Sequence, residues 1–124
     1  MSDLLDIDQL KSTLSSFAKI REWEKFHSPK NLSMAIAGEA GELLEIFQWL
    51  TEQQSIDIKD NTLIREEISY ELADIILYII QMATQLNINL SEAIFNKIKI
   101  NNKKYPINKV KGSAKKYTEY SNNN

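Results

Sequence analysis

The chain has 124 residues, with fifteen Lys and Arg against seventeen Asp and Glu and a formal net charge of −2. So even a balance lacks the broad positive field of non-specific nucleic-acid binding, while a 43% apolar content suits a packed core and not a disordered tail. No Cys and a single His, His27, exclude a disulfide scaffold, a thiolate metal site and any centre that needs two imidazoles.

The length is that of one domain, and three Gly with two Pro leave little scope for long irregular loops. The opening MSDLLDIDQL is acidic, with no basic start ahead of an apolar core, and does not read as a secretory signal. The expected location is therefore the cytoplasm. Ile7, Leu10, Leu14, Phe17 and Ala18 recur at helical spacing and predict a first helix over Asp6 to Phe26. His27-Ser28-Pro29 interrupts it. Ser28 ahead of Pro29, or Asn31, then caps a second helix running to about Gln54. Ser55 to Asn61 is polar and reads as a loop. A third helix is expected from Thr62 to Leu86, ended by Asn87-Ile88-Asn89. Asn89 begins a fourth, with Glu92 as its capping-box partner and Leu90, Ile94 and Ile98 as its apolar face. Tyr105-Pro106 ends that helix. The expected domain covers residues 1–110, and residues 111–124 form a polar tail in which Tyr117 and Tyr120 could dock. No alternation suggests a strand, so the fold class is all-α, a four-helix bundle.

The run Leu72 to Leu86 is the most apolar, yet it carries Asp74, Gln81, Thr84 and Gln85. It falls short of the roughly 20 apolar residues of a membrane span, so no membrane partner is expected. Around Ile75 to Met82 it is apolar on nearly every side, which suits either the central helix of a bundle or a helix covered by a second subunit. A homo-oligomer is the expected assembly.

The informative feature is where the acids fall. The second helix has a stripe at positions 32, 36, 39, 43, 46 and 50, and position 39, which should be apolar, is Glu39. Glu42 stands beside it at i+3. In the third helix Glu71 sits between Ile68 and Ile75, with Asp74 at i+3 and Tyr78 a turn later. Acidic pairs of this spacing also make ordinary solvated helix faces. Two pairs that each intrude on an apolar stripe point further, because four carboxylates brought together repel unless protonated or bound to a cation. All-oxygen ligands suit Mg²⁺ or Mn²⁺ and not zinc, and the missing Glu-x-x-His disfavours a di-iron centre. Mg²⁺ held by a few carboxylates keeps positions open for substrate phosphate. Gly38 and Gly41 let a helix or a ligand approach the backbone closely.

Lys97, Asn101 and Lys104 share one face of the fourth helix, fit to hold polyphosphate charge or simply to be solvated. Trp23, Phe26 and Trp49 are candidates for stacking on a base, or for core and interface packing. His27 beside a helix break suits either a ligand contact or a turn.

FHSPKNLSMAIAGEAGELLEIFQW (26–49), REEISYELADIILY (65–78) and KIKINNKKYP (97–106), with the later KKYTEY, resemble the MazG-like all-α nucleotide pyrophosphohydrolases, in their dCTP pyrophosphatase branch. The likeness covers about residues 14 to 120, and GExGE, FQW, ExxD and KxxxN in that order are specific as a set. The resemblance implies a homodimer or homotetramer that hydrolyses nucleoside triphosphates to monophosphate and pyrophosphate, cleaning the nucleotide pool. It implies that Glu39, Glu42, Glu71 and Asp74 ligate Mg²⁺, that Trp23, His27, Trp49 and Tyr78 line the nucleotide site, and that Lys97 and Asn101, with Lys104, contact phosphate. The implied reaction is in-line attack of water at the α-phosphorus, with Glu42 or neighbouring Glu45 taking the proton. The wider MazG pattern opens on two adjacent acids where this chain has Gly38-Glu39. Leu14 stands where animal relatives carry a histidine, which leaves base selectivity open among dCTP, dUTP and general triphosphates. A non-enzymatic helical interaction module is the reading from a different class.

Overall fold

The computed structural model describes residues 5–114, and these form six α-helices and no strand. They fall into two compact units that divide between Ile88 and Asn89. The first holds α1 (Ile7–Ile20), α2 (Pro29–Phe47), α3 (Glu52–Asp57) and α4 (Thr62–Gln85); the second holds α5 (Leu90–Lys104) and α6 (Ile107–Val110). The all-α class is as read, with four longer helices and two short ones added. Residues 115–124 of the expected tail, including Tyr117 and Tyr120, lie outside the described residues.

Each long helix starts on a polar side chain that accepts a backbone N–H which the helix itself leaves unpaired. Asp6 caps α1, Asn61 caps α4 and Asn89 caps α5. Ser28, with Pro29 at the first helical position, caps α2 through the Asn31 N–H at 3.2 Å.

The ends differ from the periodicity. α1 stops at Ile20, not Phe26, because Glu22 turns into the left-handed region at φ 55°. The Trp23 N–H then donates to the Ala18 carbonyl at 2.9 Å and the Glu22 N–H to that of Lys19 at 3.1 Å, a Schellman closure with Glu in place of Gly. Asn87, at φ 54°, closes α4 the same way through Ile88 and Ala83. α2 stops at Phe47, not Gln54. Thr51 and Gln54 form a complete capping box, so local bonding starts α3 where one continuous helix was expected. The segment read as a loop, Ser55 to Asn61, is accordingly mostly helical, continuing into a 3₁₀ turn at Ile58–Asp60. Past Pro106, where the fourth helix was expected to end, the chain makes one more helical turn, α6.

α4 is the central helix of the first unit, packed against both α2 and α1. Ala18, Leu32, Ile80 and Ala83 are the buried residues of this core, with Leu32 and Ile80 wholly enclosed. Leu72 and Ile76 on the same helix remain 48% and 41% exposed. A Cβ built at Gly38 or Gly41 meets nothing within 4 Å, so among the described residues no helix makes a close approach there. Among the described residues no helix is long and apolar enough to cross a membrane.

Candidate metal centre

Packing α2 on α4 carries the stripes of both helices inward, acids included. Glu39 and Glu71 are half-buried, like Ile36 and Leu43 on one side and Ile68 and Ile75 on the other. With the more exposed Glu42 they form a trio of carboxylates, each offering an oxygen within 4.8 Å of the others. The electrostatics are those of an overfilled site. The Glu39 carboxyl is pushed up to about 7, first by its hydrogen bond to Glu71, then by desolvation, then by the hydrogen bond and charge of Glu42. One proton thus does part of the work of a cation. Glu71 Oε2 is buried and has no hydrogen-bond partner. A surplus of anionic oxygen, with one atom lacking any donor, is a donor set that fits a hard divalent cation.

Asp74, the fourth expected ligand, lies outside this trio and is exposed. It borders a cavity of about 290 Å³ walled by Phe17, Trp23, His27, Tyr78 and Gln81. Tyr78 links the cavity to the acids. Its phenol is held above the ordinary value, chiefly by desolvation and then by the charges of Glu39, Asp74 and Glu42, so the hydroxyl stays protonated and able to donate. The turn that closes α1 positions Trp23, which meets Phe17 edge-on at 5.7 Å. The Arg21 guanidinium lies 3.6 Å over the Phe17 ring and holds it from another side. His27 is half-buried in the cavity wall. A second cavity of about 260 Å³ shares Leu14, His27 and Gln81 with the first and adds polar Lys11, Ser15 and Gln85.

Of the other expected residues, Glu45 and Trp49 in the first unit line neither cavity and do not join the trio. Glu45 is one turn beyond Glu42 and exposed, and Trp49, just past α2, is 86% exposed. Lys97, Asn101 and Lys104 lie on α5 in the second unit, the first two exposed and Lys104 half-buried. Phe17 and Gln81 were missed as site residues. Gln81 had a legible signal, because it interrupts an apolar run three residues beyond Tyr78.

Fold and site together define an all-α protein with a carboxylate centre beside an aromatic-walled cavity. The chain belongs to the MazG-like family, whose model matches residues 34–120. It is 34% identical over 113 residues to dCTP pyrophosphatase 1 of Homo sapiens, an alignment covering 91% of this chain and 66% of that one. To dCTP pyrophosphatase 1 of Mus musculus it is 34% identical over 117 residues, again covering 91% and 66%. The chain therefore spans about two thirds of the length of these relatives. A solved pyrophosphatase from Archaeoglobus fulgidus has the same fold, with a TM-score of 0.76 at 33% identity over 86% of this chain and 97% of that one.

Proposed function

We propose that the chain is a nucleoside triphosphate pyrophosphohydrolase acting on dCTP-like substrates in the cytoplasm, releasing nucleoside monophosphate and pyrophosphate. The observation that carries this reading is Tyr78, which lines the cavity holding Trp23 and at the same time feels the charges of Glu39, Asp74 and Glu42. That arrangement suits a ligand with a highly charged end and a flat aromatic end. The names of the similar proteins supply the substrate class.

Glu39, Glu42 and Glu71 would hold Mg²⁺, or Mn²⁺, with Asp74, one turn along α4 from Glu71, as the fourth ligand on the sequence pattern. A divalent cation bound there would supply charge neutralisation for the triphosphate and a more acidic water for attack at the α-phosphorus. Glu42 or Glu45, one turn apart on α2, takes that water's proton. The Tyr78 hydroxyl donates to the ligand, and Trp23, braced by Phe17, stacks on the base. Trp49, His27, and Lys97, Asn101 and Lys104 as phosphate contacts enter on the sequence pattern, with residues 1–110 working as one domain. A homodimer or homotetramer belongs to the same reading, supported by the apolar side chains that α4 leaves uncovered.

The test is purified protein with Mg²⁺ and the eight common NTPs and dNTPs, products separated by ion exchange. Monophosphate plus pyrophosphate, abolished by EDTA and led by dCTP, is expected. Diphosphate plus phosphate overturns the site of attack, dominance of dUTP or of ribonucleotides overturns the substrate class, and no turnover of any triphosphate favours the interaction module.

A further inference from the structure

Gln81 is an unusual residue for its place. It lies among Ile79, Ile80, Met82 and Ala83 on the helix that forms the centre of the first unit. Its Oε1 is buried and has no hydrogen-bond partner, a condition that penalises the fold unless something supplies a donor. The side chain borders both cavities, where the aromatic part around Trp23 and Tyr78 meets the polar part around Lys11, Ser15 and Gln85. Leu14, His27 and Gln81 line both cavities, and of these Gln81 alone carries a buried polar atom without a partner. Leu14 across the cavity has no polar atom, and the Thr84 hydroxyl is already donating to the Ile80 carbonyl at 2.9 Å.

Register supplies the second observation. Glu71, Asp74, Tyr78 and Gln81 follow at i, i+3, i+7 and i+10 along α4, which keeps them on one side of the helix. Ten residues of α-helix rise about 15 Å, comparable to a nucleoside triphosphate extended from its phosphates to the far edge of its base. A ligand whose phosphates reach Glu71 presents its base edge at Gln81.

We propose that the Gln81 carboxamide reads the base: Oε1 accepts from the 4-amino group of a cytosine while Nε2 donates to the ring N3. This rests on the triphosphate reading above and assigns its base-selecting residue. A carboxamide matches an adjacent donor and acceptor on a base edge in two bonds, as a hydroxyl or a single donor does not.

The experiment pairs a change in the base with a change in the residue. Wild type, Gln81→Leu and Gln81→Ala are assayed on dCTP and on the pyrimidin-2-one analogue, which differs by lacking the 4-amino group. Wild type should prefer dCTP by about tenfold to a hundredfold in kcat/KM, carried mainly in KM. Both variants should lose that factor on dCTP and a smaller one on the analogue, which keeps the bond to N3 but never had the one to the 4-amino group, so the preference collapses. Equal losses on both substrates indicate a structural role and overturn the assignment, as does a preference that survives in both variants. If wild type turns over no triphosphate, the functional reading fails and takes this one with it. Turnover with an unchanged preference overturns this one alone.

Discussion

The proton held among the carboxylates makes metal binding steeply dependent on pH. A cation must displace it, and with the Glu39 carboxyl at about 7 the site is ionised about 9% of the time at pH 6 and about 91% at pH 8. Apparent affinity for Mn²⁺ should therefore rise about tenfold across that range and flatten above it. Calorimetric titration of the nucleotide-free protein measures this directly. Repeating it in buffers of different ionisation enthalpy should show about 0.9 proton released per ion at pH 6 and about 0.1 at pH 8. Stability runs the other way without metal. A carboxyl raised in the fold contributes stability that is fully present below its unfolded value of 4.5 and lost as the pH rises through about 7. The metal-free protein should lose this contribution between about pH 4.5 and 7, and added Mn²⁺ should reverse the trend. Glu39→Gln keeps the shape and removes the titration, so its affinity, though weaker, should be flat with pH. An affinity flat in the wild type, or equally steep in Glu39→Gln, refutes the assignment of the proton to this cluster.

Two further outcomes follow from the backbone and the surface. Glu22 holds a left-handed conformation that Gly adopts without strain, so Glu22→Gly should stabilise the fold by roughly 0.5–1 kcal/mol, raising Tm by about 3 °C; an unchanged or lower Tm would falsify the strain. Leu72 and Ile76 lie uncovered on α4, so the wild type should sediment above monomer mass at micromolar concentration and Leu72→Glu with Ile76→Glu should shift it to monomer. A monomeric wild type refutes that reading of the face.

The class of fold and the acidic centre were legible because both rest on periodicity. Glu39 and Glu71 break apolar stripes that the rest of each helix keeps, and the same stripes turned both residues inward when the helices docked. Helix ends were less legible. Glu22 and Thr51 stop and restart helices through hydrogen bonds of a few residues, which no hydrophobic pattern records. The cavity was legible in part: Trp23 and Tyr78 stood out as aromatic, whereas Phe17 looked like core, and it is the turn at Glu22 that brings Trp23 against it. Asp74 shows the remaining limit, since sharing a face with Glu71 does not fix whether its oxygens reach the same point in space.

The local caps bear on the order of events in folding. Asp6, Ser28 and Asn61 each close their starting hydrogen bond within three residues, so α1, α2 and α4 begin independently of one another, on the sub-microsecond to microsecond scale of helix formation. The glutamates of α2 and α4 are far apart in sequence and meet when those helices dock. Helix formation should thus be indifferent to divalent ions, and the docking step should be governed by them, so that the cation acts as a late clasp on helices already made.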